Sequence, residues 1–221
     1  MISRYGDHPS QVVELFEPAG EPRGSAVVIH GGFWRAAYDR HLMDDLCRDL
    51  AARGWAAWNL EYRRLGESGG WPETFDDVEA GIRAVQASNT LLLAIGHSAG
   101  GHLALWAAAR GLVTHAVAQA GVVDLAEGAR LGLSGGVVDQ LVEPELYHWT
   151  SPAAMLPHGV PQLLVHGEED ATVPVEMSRA YRAEAVAAGD DVTLVTLPGV
   201  GHSEHLDPAS DAWRAVVEWL P

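Results

Sequence analysis

The sequence of 221 residues contains no lysine, and all 14 of its basic residues are arginine. The absence of lysine excludes mechanisms that need its amine, including Schiff-base chemistry, a P-loop phosphate site and a Ser–Lys dyad. The 30 acidic residues give a net charge of −16. This charge disfavours nucleic acids and anionic membrane surfaces as partners.

The chain has a single cysteine and no long apolar segment. Cys47 is the only cysteine, so no disulfide can form within the chain, as is usual in a reducing cytoplasm. No apolar run reaches the roughly 18 residues that a membrane span needs, and residues 1–8 lack the apolar region of a signal peptide. These features predict a cytoplasmic protein that is not embedded in a membrane.

The most informative segment joins the apolar run Leu91–Ile95 to the sequence Gly-His-Ser-Ala-Gly at positions 96–100, followed by an Ala- and Leu-rich stretch. This order is typical of a nucleophile elbow, a sharp strand-to-helix turn that presents a serine above a sheet. Gly96 and Gly100 are needed because the turn brings strand and helix too close for side chains. The pattern predicts Ser98 as a nucleophile; the alternative is a structural serine in a tight turn.

An acid and a histidine follow Ser98 in the order that an elbow-type hydrolase requires. Asp170 comes after a strand-like run, residues 162–166, and His202 comes after another, residues 192–197. Because open α/β sheets place their sites at the carboxyl ends of the strands, these three residues are predicted to meet there. His202 would then act as the base, and Asp170 would fix its tautomer.

Other residues compete for two of these roles. Glu169 and Asp124 are alternative acids, because each also follows a strand-like run. The pattern His-Gly-x-x-Asp-x-x-Val-Pro favours Asp170, and Glu169 is then a solvated loop charge. His205 is the alternative base, but the Pro-Gly-x-Gly-His loop favours His202. His205 is therefore expected at the rim of the site, near the last helix.

Upstream of the elbow, the strand-like run Ala26–His30 ends in the sequence Gly-Gly-Phe-Trp at positions 31–34. A His-Gly-Gly-x loop after an early strand supplies one N–H group to an oxyanion hole. The residue after the nucleophile supplies the second N–H group. We assign these donors to Ala99 and to Phe33 or Gly32.

Three neighbours of these groups are candidates for the substrate-binding surface: Gly31, Trp34 and His97. An exposed ring at Trp34 would suit an aryl group, and the alternative is core packing. His97 occupies the variable position of the elbow, and its alternative is packing beneath the turn. His30 and His166 are interpreted as hydrogen-bonded structural residues. The histidine spacing matches no metal-binding motif, so no metal or other cofactor is predicted.

Strand-like runs alternate with helix-like stretches, which predicts an α/β fold with a mostly parallel sheet and helices on both faces. The predicted strands are Val12–Phe16, Ala26–His30, Ala56–Leu60, Leu91–Gly96, His115–Ala120, Gln162–His166 and Val192–Leu197. The predicted helices are Arg40–Arg53, Thr74–Gln86, Ala99–Arg110, Val175–Ala188 and a C-terminal helix capped by Asp207. The length and the lack of a linker predict one domain over residues 1–221.

The irregular segment 123–157, which contains several glycines and prolines, is expected to form a short cap-like insertion. Its apolar residues would either line a shallow pocket suited to small acyl groups or pack against the sheet edge. These residues are Leu131, Leu133, Val137, Leu141, Leu146, Tyr147 and Trp149.

With these motifs in this order, the sequence resembles the α/β-hydrolase superfamily over about residues 12–220. The His-Gly-Gly-Phe-Trp loop at 30–34 and the Gly-His-Ser-Ala-Gly-Gly elbow at 96–101 are most similar to arylformamidases (kynurenine formamidases) and small carboxylesterases. The segment Glu-Tyr-Arg-Arg-Leu at 61–65 also resembles this branch and the hormone-sensitive-lipase-like esterases. The chain departs from the lipase-like enzymes at Phe33, where they carry a third glycine.

This resemblance implies an α/β-hydrolase fold and a serine hydrolase that cleaves a small carboxylic ester or an N-formyl amide. A peptidase of the prolyl-oligopeptidase type shares the elbow pattern, but it is disfavoured because such enzymes usually carry a propeller or another accessory domain. A non-catalytic ligand-binding member is disfavoured because such proteins often lose a triad residue, and this chain keeps all of them. The expected partner is a small-molecule substrate, and the sequence predicts no oligomeric state.

Overall fold

The computed structural model describes residues 1–85 and 91–221, which contain one sheet of eight strands. The strands are β1 (Ile2–Arg4), β2 (Val12–Phe16), β3 (Ser25–Ile29), β4 (Ala56–Leu60), β5 (Leu92–His97), β6 (His115–Gln119), β7 (Gln162–Gly167) and β8 (Val192–Leu197). Their order in the sheet is β1-β2-β4-β3-β5-β6-β7-β8. The pairs β1–β2 and β2–β4 are antiparallel and the other pairs are parallel. The predicted, mostly parallel sheet is confirmed, and β1 is an addition to it.

The helices connect these strands and cover the sheet. They are α1 (Asp44–Ala52), α2 (Glu73–Ala84), α3 (Ala99–Ala109), α4 (Leu125–Arg130), α5 (Leu133–Leu141), α6 (Tyr147–Thr150), α7 (Val175–Ala188) and α8 (Asp211–Trp219). Short 3-10 turns add Arg40–Met43, Pro144–Leu146, Pro152–Met155 and Glu204–Leu206. Gln86, the predicted end of the second helix, lies outside the described residues.

The last helix begins later than its sequence predicts. Ser210, not Asp207, is the N-cap of α8, because the Ser210 hydroxyl accepts a hydrogen bond of 3.0 Å from the Trp213 amide. The Asp207 carboxylate instead accepts from the amide of Ala209 at 2.8 Å and closes the turn before the helix. Both residue types satisfy free amides at a chain reversal, so the sequence alone does not decide between them.

Helices on both faces bury two apolar cores. On one face, α1 and α8 contribute Leu46, Leu50 and Trp213 to a fully buried cluster. On the other face, α2, α3 and α7 pack against the sheet. Helix α3 is buried on all sides from Ala99 to Ala108, as expected of a helix with no polar stripe. The residue at the start of α3 is therefore held by packing along the whole helix.

The predicted insertion after β6 forms α4, α5, α6 and two of the 3-10 turns. Leu133, Val137 and Leu141 are buried in the larger core, whereas Leu131 and Trp149 are 39% and 52% exposed. This distribution favours the interpretation that the insertion packs against the rest of the fold. Within residues 1–85 and 91–221, no helix has the length and apolar character needed to cross a membrane.

A left-handed backbone segment at the start of α5 connects the insertion to the rest of the molecule. Ser134, Gly135 and Gly136 have φ values of 46°, 72° and 79°. The carbonyl oxygen of Ser134 accepts a hydrogen bond of 2.8 Å from the guanidinium of Arg35. Because Arg35 directly follows the Gly-Gly-Phe-Trp loop, the insertion is anchored to that loop.

Two tryptophans allow a matched test of the core. Trp213 is fully buried and donates from its indole to Asp49 at 2.7 Å. We expect Trp213→Ala to lower the free energy of unfolding by about 3–5 kcal/mol. The half-exposed Trp149 is the control, and Trp149→Ala should change it by no more than about 0.5 kcal/mol. Urea unfolding measures both, and equal losses would contradict the assignment of Trp213 to the core.

Candidate active site

The structure places Ser98 at a strained turn between β5 and α3. Its φ is 56° and its ψ is −116°, and a non-glycine residue held in such a region costs of order 1–3 kcal/mol. A side chain at Gly96 would overlap the backbone of Gly100, and one at Gly100 would overlap the carbonyl oxygen of Ile29. The backbones of β5, α3 and β3 therefore meet directly around Ser98.

Asp170 and His202 are joined by a hydrogen bond of 2.7 Å between Oδ2 and Nδ1. The other carboxylate oxygen of Asp170 accepts from the amides of Thr172 and Val173 at 2.8 and 2.9 Å. Because an ionised carboxylate only accepts, His202 carries its proton on Nδ1, and its Nε2 is left as a proton acceptor. The pair thus has the tautomer that a general base requires.

The ionised state of Asp170 follows from its surroundings. Burial raises the pKa of Asp170, but the hydrogen bonds from His166, His202 and the Val173 amide outweigh this effect. Together they hold the pKa well below its usual range. Asp170 therefore remains a carboxylate at neutral pH and can stabilise a positive charge on His202.

The alternative acids and the alternative base occupy other positions. Asp124 caps α4 by accepting from the amides of Ala126 and Glu127, and Glu169 is exposed. His205 is fully buried, and its two ring nitrogens have no hydrogen-bond partner among the described residues. The expectation that it lies at the rim is wrong, because the turn after His202 directs it into the interior.

His97 connects the elbow to the histidine loop. Its Nε2–H donates to the backbone carbonyl of His202 at 2.9 Å, and the two rings lie 4.7 Å apart. Burial, and then the proximity of His202, lower the pKa of His97 to about 3, so the ring is neutral. His97 is only 5% exposed, which favours packing beneath the turn over contact with a substrate. Because His97 directly precedes Ser98, this hydrogen bond holds the backbone of His202 close to the elbow.

A second histidine, His166, also lies against Asp170. The sequence alone predicts only that His166 is a hydrogen-bonded structural residue. Its Nε2 lies 2.9 Å from the carbonyl oxygen of Val173 and 3.3 Å from Asp170 Oδ2. Its Nδ1 lies 2.7 Å from the hydroxyl of Ser178. The sequence signal is its position at the end of β7, four residues before Asp170. It helps to hold the carboxylate in place.

The predicted oxyanion loop lies against the elbow. A side chain on Gly31 would approach the Cβ of Ser98 to 3.0 Å, so the two backbones are in contact there. Gly32, Phe33 and Trp34 follow with φ values of 98°, 52° and 55°. Three successive left-handed residues turn the peptide groups of this loop away from the usual strand geometry.

The two predicted donor sites have different origins. Ala99 is the first residue of α3, so its amide is one of those without an intrahelical acceptor. In the loop, the carbonyl of Gly32 accepts from the amide of Arg35 at 3.0 Å, which fixes the peptide that carries the Phe33 N–H. Trp34 is fully buried and meets the ring of His102 edge-on at 5.3 Å. Its burial favours core packing over contact with a substrate.

Residues 53–220 match the sequence pattern of the prolyl oligopeptidase family. The chain belongs to this family. The motifs alone favour arylformamidases and small carboxylesterases; the family match does not test that choice, and the arylformamidase assignment stays a prediction.

Two curated relatives of this family member are named as esterases. Esterase LipC of Mycobacterium tuberculosis is 28% identical over 235 aligned residues, covering 90% of this chain and 58% of LipC. The probable isoprenylcysteine alpha-carbonyl methylesterase ICME of Oryza sativa subsp. japonica is 26% identical over 242 residues, covering 90% of this chain and 57% of that protein. The chain thus spans little more than half the length of these relatives.

Solved structures of esterases match the fold along nearly the whole chain. A truncated carbohydrate esterase from gut microbiota has a TM-score of 0.80 at 20% identity, covering 98% of this chain and 93% of that chain. Esterase 2 of Thermogutta terrifontis, phosphonylated by sarin, has a TM-score of 0.81 at 21% identity, covering 99% and 91%. These neighbours confirm the predicted α/β-hydrolase fold.

Asp170 and Asp124 provide a matched test of the acid. Asp170→Asn should lower kcat for an activated ester by about 10⁴-fold, because an amide no longer enforces the tautomer of His202. Asp124→Asn should leave kcat unchanged, since asparagine also caps helices well. Steady-state hydrolysis of p-nitrophenyl acetate measures both. A loss confined to Asp124→Asn would move the acid to the end of β6.

His205 predicts how stability depends on pH. Burial, and then the neighbouring His97, His166 and His202, lower the pKa of His205 to about 3. An unfolded histidine takes up its proton near pH 6.5, so the free energy of unfolding falls as the pH falls from about 6.5 toward 3.

His205→Leu removes this proton uptake and the unpaired buried nitrogens. The variant should show a pH dependence flatter by up to about 1.4 kcal/mol per pH unit in that range. Urea unfolding at several pH values measures it, and an unchanged slope would show that His205 is protonated equally in both states.

Proposed function

We propose that this protein is a serine hydrolase that cleaves small carboxylic esters or N-formyl amides. The observation that carries the proposal is the 2.7 Å hydrogen bond between Asp170 and His202, beside an elbow that holds Ser98 at a positive φ. A structural serine needs neither a strained turn nor a carboxylate–histidine pair that is hydrogen-bonded to the residue before it, as His202 is to His97. The esterase names of the curated relatives add support.

The reaction proceeds through an acyl-enzyme. His202 Nε2 takes the proton of Ser98 Oγ as this oxygen attacks the substrate carbonyl carbon. The amide of Ala99 and an amide of the Gly32–Phe33 segment stabilise the oxyanion. The tetrahedral intermediate expels the alcohol or amine, which receives the proton from His202. Water then repeats the sequence on the acyl ester, releasing the carboxylic acid and restoring Ser98.

Small acyl groups are the proposed substrate class. The apolar residues Leu133, Val137 and Leu141 of the insertion are buried in the core, so their side chains are not free to line a long acyl pocket. Phe33 occupies the place of the third glycine of lipase-like esterases and is partly buried beside the loop. Both observations support a short, restricted pocket.

Peptide hydrolysis is the second candidate, because the chain belongs to the prolyl oligopeptidase family. The same catalytic groups serve esters and amides, since His202 protonates either leaving group. The choice therefore depends on the leaving group that the site accepts, and a substrate panel decides it.

Labelling with a fluorophosphonate tests the nucleophile. Intact-mass spectrometry should show one adduct on the wild-type protein and on Ser3→Ala, which changes an exposed serine on β1. Ser98→Ala should show none, and its esterase activity should fall by about 10⁶-fold. A folded wild-type protein that remains unlabelled would contradict the proposal and favour a ligand-binding role.

The substrate panel contains p-nitrophenyl esters of increasing acyl length, N-formylkynurenine and a prolyl p-nitroanilide. We expect kcat/KM to be highest for the acetyl and propionyl esters and to fall with acyl length. Efficient hydrolysis of N-formylkynurenine would identify an arylformamidase. Cleavage of the anilide without hydrolysis of the esters would instead identify a peptidase.

A further inference from the structure

His30 ends the strand that leads into the oxyanion loop, and it is fully buried. Its Nε2 lies 2.9 Å from Glu61 Oε1, and its Nδ1 lies 2.8 Å from the carbonyl oxygen of Gly31. A neutral imidazole has one N–H, so with a carboxylate and a carbonyl as neighbours one contact would bring two lone pairs together. Both contacts are satisfied only when both ring nitrogens carry protons.

The alternative, a proton on Glu61, conflicts with the donors around that carboxyl group. Besides His30, the amide of Tyr62 donates to Oε1 at 3.0 Å, and the amide of Arg40 donates to Oε2 at 2.9 Å. The guanidinium of Arg64 lies 3.3 Å from Oε1. Burial raises the pKa of Glu61, but these groups together lower it below its usual value. A carboxyl group with this many donors is ionised.

The charges around His30 are balanced when it is protonated. Arg64 pairs with Glu61 and also with Glu67 at 2.7 Å, so a charged His30 gives two cations and two anions. The ring of Tyr62 stacks on His30 at 4.4 Å, and its hydroxyl donates to the His30 carbonyl at 2.9 Å. Among the described residues, further ionisable groups beside this cluster include Tyr5, Arg40 and Glu14. His97 also lies close, because a side chain on Gly31 would come within 3.1 Å of its Nδ1.

The contact to Gly31 has a direct effect on the loop. The C=O and N–H groups of a trans peptide point in opposite directions. With the Gly31 carbonyl bound to His30 Nδ1, the Gly32 N–H points away from His30. A side chain on Gly31 would come within 3.0 Å of the Ser98 Cβ, so this peptide lies beside the nucleophile.

We propose that His30 is a positioning residue that donates from both ring nitrogens, and that its contacts to Glu61 and to the Gly31 carbonyl orient the Gly31–Gly32 peptide so that the Gly32 N–H becomes the loop's oxyanion donor. The proposal rests on the hydrolase function proposed above for its effect on catalysis. The charge on His30 itself does not depend on that function.

The first experiment measures the protonation of His30 in the intact protein. Two-dimensional ¹⁵N NMR of histidine-labelled protein distinguishes an imidazolium from each neutral tautomer, and His30→Gln identifies the signals. We expect the imidazolium pattern for His30 in the folded protein at neutral pH, because both ring nitrogens face acceptors. A neutral tautomer at neutral pH would overturn the proposal whether or not the protein is an esterase.

The second experiment compares Glu61→Gln with Glu67→Gln, each of which removes one negative charge beside Arg64. Only Glu61 contacts His30, so only Glu61→Gln should let His30 lose its proton. We expect kcat for p-nitrophenyl acetate to fall about 10- to 100-fold with KM little changed. Glu67→Gln should stay within about threefold of wild type, since Glu67 is part-exposed.

The pH profile separates positioning from a structural defect. In wild type, kcat should rise with pH and then remain level. In Glu61→Gln, kcat should fall again at higher pH as His30 deprotonates, and the NMR signals should titrate with the same midpoint. A pH-independent loss of kcat in Glu61→Gln would overturn the positioning role. If the fluorophosphonate does not label the wild-type protein, that result would refute the hydrolase function but not the charge on His30.

Discussion

Direct contact between backbones at the carboxyl edge of the sheet is the constraint on which the site depends. Gly31, Gly96 and Gly100 occupy positions where a side chain would meet another backbone or Ser98. Their absence of side chains lets β3, β5 and α3 converge at one point. The strained turn at Ser98 is maintained because α3 is buried along its length, so relaxing the turn would require displacing a whole helix from the core.

Around this contact, the charge of each buried ionisable group follows from its hydrogen-bond partners. Asp170 and Glu61 each receive several hydrogen bonds and remain charged. His97 and His205 lack a carboxylate partner, and burial keeps them neutral. A neutral His97 can donate to the backbone of His202 without placing a second positive charge beside it. The interior would therefore support the positive charge that His202 acquires in the proposed reaction.

The parts that were predictable from the sequence depend on local patterns. The seven predicted strands are present within a residue of their predicted ends, because apolar runs bounded by glycine and proline specify them. The helix cap at Ser210 and the burial of Trp34 and His205 were not predictable in this way. Each is decided by non-local packing, as is the contact between His166 and Ser178, which a periodic pattern does not encode.

The hydrogen bond between Arg35 and the carbonyl of Ser134 links the insertion to the proposed oxyanion loop. In many enzymes of modular design, the segment that selects the substrate can be exchanged while the catalytic centre is left intact. Here an exchanged insertion would also remove an anchor of the loop proposed to stabilise the transition state. Selectivity and turnover are therefore expected to evolve together in this chain, and transplanted insertions need a backbone acceptor at the position of Ser134.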